Sequence, residues 1–92
     1  MPWVGAPAMT PSEAASLRAE ALFVSTLQRS ERPTPGQLCE AISATLGRYG
    51  PRGCAAIVAQ EFGEHPTEAV RRMSWVLAVL RSAPAQSTES LR

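Results

Sequence analysis

The sequence lacks three residue types altogether, since its 92 residues include no lysine, no aspartate and no asparagine. Arginine therefore supplies every basic side chain and glutamate every acidic one, nine against eight, and the formal net charge is +1. A chain so close to neutrality carries no overall electrostatic sign of a polyanionic partner. Local patches of charge have to decide whether it binds one.

Side chains that commonly carry catalysis or bind metals are scarce. His65 is the single histidine, and it is better explained as a residue at a helix start than as a base or a ligand. Cys39 and Cys54 have neither a zinc-ligand spacing nor a C-x-x-C redox spacing, so we expect both to be buried, reduced thiols. No glycine-rich phosphate loop is present. We therefore expect no enzyme activity, no metal, no cofactor and no small-molecule ligand.

Long apolar runs are absent as well. No stretch approaches the roughly 20 apolar residues of a membrane span, and residues 1–9 lack the basic and apolar regions of a secretory signal. We expect a cytoplasmic protein with no membrane partner. Residues 1–9 are predicted to be a flexible leader, with Met9 as an alternative start. Residues 10–82 are predicted to form one helical domain, and residues 83–92 a disordered tail.

Helix starts are the clearest signals in the chain. Thr10-Pro11-Ser12-Glu13 and Thr34-Pro35-Gly36-Gln37 both have threonine at the cap, proline at the first helical position and an acceptor at the third. This order is typical of a capping box, and His65-Pro66-Thr67-Glu68 repeats it approximately. The sequence predicts an all-α single domain of four helices, at about 11–29, 35–49, 52–62 and 66–82.

Glycine and proline mark the predicted ends of the middle helices. Gly50 should end the second helix and Pro51 should open the third. Gly63 follows an apolar run and should adopt the left-handed conformation that ends a helix. If so, an alanine at position 63 should destabilise the fold by roughly 1–2 kcal/mol.

Apolar periodicity predicts which side of each helix is buried. In the first helix Leu22 falls on the side away from the apolar stripe and is expected to be exposed. The stripe of the first helix is predicted to comprise Leu17, Ala21, Val24 and Gln28, with Phe23 and Leu27 widening it on one side. The core sides of the next two helices are predicted to be Leu38, Ile42, Leu46 and Tyr49 in the second, and Cys54, Val58 and Phe62 in the third.

The last helix is apolar on nearly all sides in its second half. Its core side is predicted to comprise Ala69, Val70, Met73, Val76, Leu77 and Leu80. Trp75 and Val79 lie nearly opposite, and we expect these two to form an interface, covered either by the first helix or by a second copy of the chain. A helix that is apolar all round is normally buried all round.

The segment from Val58 to Met73 resembles the helix-turn-helix of bacterial DNA-binding proteins. Ala59, Gly63, Pro66 and Ala69 fit the small residue, the turn glycine, the start of the recognition helix and the apolar locking position of that family. The resemblance covers under a fifth of the chain. It implies that the third and fourth predicted helices form the motif, and that the protein is a small regulator of transcription.

The resemblance also implies a site for double-stranded DNA. The major groove would be contacted by Thr67, Glu68, Arg71 and Arg72, and phosphates by Arg48 and Arg52. Each of these residues has an ordinary alternative explanation, as a solvated face or as a charge that compensates a helix end.

An interaction module is the alternative hypothesis for the same helices. Glu61, Glu64 and Glu68 cluster at the predicted turn and would repel phosphate, which argues against DNA. An all-helical module could instead bind a protein partner, or form a homodimer, through the Trp75 face or the face of the first helix. The sequence leaves both hypotheses open.

Overall fold

The computed structural model describes residues 10–82, which form three α-helices. α1 spans Pro11–Val24, α2 spans Pro35–Glu64 and α3 spans Pro66–Ser82. The predicted all-α class is confirmed. The prediction of four helices is wrong, because the expected helices 35–49 and 52–62 form the single helix α2. The predicted leader and tail lie outside the described residues.

A kink at Gly50 divides α2. Gly50 is the one residue among residues 10–82 with a positive φ, at φ 74° and ψ 167°. A residue that precedes proline is pushed from the helical region towards an extended ψ, and Pro51 follows here. Glycine is essentially the only residue that can combine a positive φ with an extended ψ. The backbone therefore breaks where the sequence indicates, but the helix resumes at once at Pro51, because no linker separates the two halves.

The helix starts agree with the predictions. The Thr10 hydroxyl accepts the backbone N–H of Glu13 at 3.1 Å, and the Glu13 carboxylate accepts that of Thr10 at 3.0 Å. Thr34 and Gln37 form the same reciprocal pair at 3.1 and 2.8 Å. These capping boxes satisfy donors that the first turn of a helix leaves unpaired. α3 begins at Pro66, also as predicted.

The corner between α2 and α3 differs from the prediction. Gly63 is helical, α2 continues to Glu64, and His65 is the only residue between the helices. The His65 N–H donates to the Glu61 carbonyl at 2.7 Å, and the His65 carbonyl accepts from the Ala69 N–H at 2.9 Å. The predicted left-handed turn at Gly63 is therefore wrong. Pro66 restrains the preceding residue, so His65 makes the corner without a glycine.

α1 packs against both other helices, and the core lies between them. Leu22 is fully buried, although the sequence predicted it to be exposed, because a helix with two packing partners buries more than one stripe. The Phe23 and Phe62 rings stack at 6.0 Å between centroids. Buried apolar residues are Ala19, Ala21, Leu22, Phe23, Leu38, Ile42, Cys54, Val58, Ala69 and Val76.

α3 is rotated relative to the prediction. Ala69 and Val76 are buried as expected, whereas Val70 is 54% and Leu77 is 47% exposed. Trp75 and Val79, predicted to lie opposite the core, instead pack partly buried against it. A single copy of the chain therefore does not bury this helix on all sides, and the expectation that the other helices of the same chain cover it is wrong. None of the helices among residues 10–82 is long and apolar enough to cross a membrane.

Candidate interaction site on the third helix

The six residues predicted to contact DNA do not form one surface. Thr67, Glu68 and Arg71 are exposed near the start of α3. Arg48 and Arg52 are exposed on α2, on either side of the kink, and the Arg48 guanidinium lies 5.5 Å from the Tyr49 ring centroid. Arg72, the sixth residue, points away from this exposed group towards α1.

The Arg72 guanidinium binds the carboxyl end of α1. Its Nε donates to the carbonyl of Phe23 at 2.6 Å, and its Nη2 donates to those of Leu27 at 2.8 Å and Ser25 at 3.1 Å. The last carbonyls of a helix lack intrahelical donors and carry partial negative charge, which a cation stabilises. Arg72 therefore links α3 to the end of α1.

Ser25 helps to end α1 at Val24, five residues before the predicted end at position 29. The Ser25 hydroxyl donates to the Leu22 carbonyl at 2.6 Å and accepts the Leu27 N–H at 3.3 Å. Serine side chains compete in this way with the helical backbone. Because Arg72 donates to the Phe23 carbonyl and to carbonyls of the residues that follow the helix, the chain leaves α1 with these groups paired.

Aromatic rings and charges surround Arg72. Its guanidinium carbon lies 5.7 Å from the Phe23 ring centroid and 5.2 Å from that of Trp75. Burial lowers the pKa of Arg72 from its ordinary value, and repulsion from Arg29 lowers it further. An arginine nevertheless stays charged in a protein. This cation is therefore half-buried and is held by carbonyl dipoles and ring faces.

The exposed charges of α3 are partly balanced by one another. Glu68 and Arg71 form an ion pair at 3.6 Å, and Glu64 lies 4.0 Å from His65. Exposed pairs of this kind contribute about 0–1 kcal/mol to stability. Beside them lies a groove of about 690 Å³, lined by the 25–30 loop and Ile57. The carboxylates of Glu61 and Glu68 and the guanidiniums of Arg29 and Arg72 also line this groove, so its charges are of both signs. The start of α3 is therefore not a strongly basic surface.

An apolar stripe lies along the open side of α3. Four apolar residues follow one another along this side at intervals of three and four residues, and we call them the α3 stripe: Val70, Met73, Leu77 and Leu80. Met73 and Leu80 lie at its inner edge, half-buried against the core, whereas Val70 and Leu77 are exposed. Among residues 10–82, Tyr49 is the only other exposed large apolar side chain. The sequence predicts all four residues on the core side. Met73 and Leu80 do pack against the core, whereas Val70 and Leu77 do not.

The two thiols differ in exposure. Cys54 is fully buried as predicted, and burial raises the pKa of its thiol, with a smaller contribution from Glu20. Cys39 is exposed, so the expectation that it is buried is wrong. Its neighbour Leu38 takes the inward position of the first turn of α2.

Metal-ligand side chains do not converge in the part of the chain that the structure describes. Residues 10–82 contain no group of three or more histidine, cysteine or glutamate side chains placed to hold a metal ion. The sequence matches no protein-family model, no curated protein and no solved structure. The candidate site has to be interpreted from its own geometry.

Proposed function

We propose that this protein is a small helical protein-interaction module whose contact surface is the α3 stripe. Two of the three exposed large apolar side chains among residues 10–82, Val70 and Leu77, lie on it seven residues apart. Adjacent apolar side chains that are held in water mark sites of contact. A rigid helix with apolar residues at these intervals has the pattern by which helices recognise one another.

The proposed surface differs from the two faces considered from the sequence. Trp75 and Val79 pack partly buried against the core of their own chain, as Met73 and Leu80 of the stripe also do. The stripe differs from those faces because it also carries Val70 and Leu77, whose side chains are exposed. α1 is enclosed by α2 and α3 and offers no comparable apolar stripe in the described residues. The α3 stripe takes the place of both faces in the proposal.

DNA binding by a helix-turn-helix pair stays a prediction, and the geometry supports it less. Arg72 binds the end of α1, and Arg71 is paired with Glu68. Glu61 and Glu64 add negative charge beside the same corner. A phosphate backbone is attracted by clustered, unpaired cations, and this surface offers few.

A photo-crosslinking amino acid tests the proposal in the cells that make the protein. Placed at Leu77 on the α3 stripe, it should form a covalent adduct with a protein. Ala78 is the matched control, because it is exposed on the same helix and lies outside the stripe, about 100° around the helix axis from Leu77. Equal crosslinking at both positions, or none at position 77, would contradict the proposal.

A duplex titration at low salt tests the DNA hypothesis separately. Salt-dependent binding that weakens in Arg71→Ala would favour DNA. Arg72→Ala is unsuitable as the probe, because it would also remove the contacts between α3 and the end of α1. No binding to any duplex would end the DNA hypothesis and leave the interaction module.

A further inference from the structure

We propose that the α3 stripe binds a second copy of the same chain in an antiparallel pair, an inference that rests on the proposed interaction function. A symmetric dimer uses one patch on both subunits, so the patch must be complementary to itself. The α3 stripe meets that requirement in its apolar spacing and in the charges at its two ends.

The apolar spacing allows antiparallel pairing of two α3 helices. Val70 and Leu77 occupy one position of the heptad, and Met73 and Leu80 occupy the other. When two such helices run in opposite directions, Val70 of one copy faces Leu80 of the other, and Met73 faces Leu77. The same layers then repeat in reverse across the two-fold axis, which lies near position 75. Each exposed side chain therefore gains an apolar partner.

The charges at the ends of the stripe select the antiparallel direction. Glu64, at the last position of α2, precedes one end of the stripe in the chain and accepts a hydrogen bond from Gln60. Arg81, in the last turn of α3, lies at the other end. The side chains of Glu64 and Arg81 are both exposed, and within residues 10–82 Arg81 has no carboxylate within 4.0 Å. Antiparallel pairing brings Arg81 near the corner that carries Glu64 of the other copy. Parallel pairing would instead place like charges together.

The size of the stripe sets the expected strength. From Val70 to Leu80 the helix rises about 15 Å, which covers a small interface. Small interfaces belong to weak or transient complexes. We therefore expect a monomer–dimer equilibrium with a dissociation constant in the micromolar range, which can be followed by dilution.

Sedimentation velocity over a nanomolar-to-millimolar concentration series tests the proposal on the full chain. The wild type should pass from monomer to dimer. Leu77→Glu should weaken association at least tenfold, because two charges would be buried at the centre of the pair. Ala78→Glu adds the same charge about 100° around the helix axis from Leu77, outside the stripe, and should leave the equilibrium unchanged. Circular dichroism of each variant establishes that it is folded.

A charge exchange tests the direction of the pair. Arg81→Glu should weaken the dimer roughly threefold to tenfold, as expected for two exposed ion pairs, and adding Glu64→Arg should restore it. A failure of the second substitution to restore the dimer would overturn the antiparallel arrangement.

The competing outcomes are distinguishable. A wild type that stays monomeric at every concentration would overturn the self-pairing. The interaction function would still stand if position 77 crosslinked specifically to a different protein in cells. A dimer that is equally sensitive to Leu77→Glu and Ala78→Glu would overturn the assignment of the interface to the α3 stripe.

Discussion

At the scale of single residues, Arg72 has the role that the sequence could least reveal. It was predicted to contact DNA, and it instead donates to carbonyls that lie 45 to 50 residues earlier in the chain. Periodicity and capping motifs concern residues within a few turns of one another, so they carry no information about such a contact. Local patterns favour a solvated position for Arg72, although it packs against the end of α1 and the Trp75 ring.

Replacing Arg72 with methionine tests this role. Arg72→Met keeps an apolar stem beside Phe23 and Trp75 but removes the charge and every donor. We expect a loss of about 2–3 kcal/mol in the free energy of unfolding, because hydrogen bonds from a charged group are removed and their acceptors lose a partner. Urea unfolding followed by circular dichroism measures the loss.

Arg71→Met is the control for Arg72→Met, because Arg71 is exposed and makes one surface ion pair. Its free energy of unfolding should stay within about 0.5 kcal/mol of the wild type. Equal losses in the two variants would show that the carbonyl contacts of Arg72 contribute nothing particular to stability.

At the scale of helices, local signals located the starts of α1, α2 and α3 and the end of α3, whereas α1 ends earlier and α2 ends later than predicted. Thr10 and Thr34 cap their helices as predicted because a capping box involves only four consecutive residues. Gly50 breaks the backbone as predicted because Pro51 acts on the residue before it. Gly63 does not, because a glycine permits a left-handed turn without requiring one, and His65 makes the corner.

The two glycines are expected to respond oppositely to alanine. At Gly50 the positive φ and extended ψ exclude a Cβ atom, so Gly50→Ala should destabilise the fold by about 1–3 kcal/mol. Gly63 is helical, and a Cβ atom there would meet no atom within 4 Å. Gly63→Ala should therefore stabilise by up to about 1 kcal/mol, through the higher helix propensity of alanine. Thermal unfolding of the two variants measures both effects.

The outcome for Gly63 also separates the sequence-based interpretation from the structure. A left-handed turn at that position would make Gly63→Ala the destabilising variant. If Gly63→Ala lowered the melting temperature while Gly50→Ala left it unchanged, the turn would lie at Gly63 and the corner at His65 would be wrong.

At the scale of the whole molecule, the fold class was predictable and the packing was only partly so. Cys54 and Val58 are buried as the pattern of α2 indicated, because that stretch has one apolar side. The second half of α3 is apolar on several sides, so the sequence alone did not determine which side faces α1. In the observed orientation of α3, Arg72 contacts α1 and the side chains of Val70 and Leu77 are exposed to solvent. This orientation forms the α3 stripe, and the proposed function depends on it.

The rotation of α3 can be tested directly by thiol accessibility at nanomolar protein concentration, where weakly associating copies are separate. Leu77→Cys and Val76→Cys are each labelled with a maleimide under native conditions, and the labelled peptides are quantified by mass spectrometry. The exposed Cys39 and the buried Cys54 of the same chain serve as internal references. The structure predicts that a thiol at position 77 reacts at a rate close to that of Cys39, and that one at position 76 is protected like Cys54. Rapid labelling at position 76 with protection at position 77 would contradict the orientation of α3 and, with it, the existence of the α3 stripe.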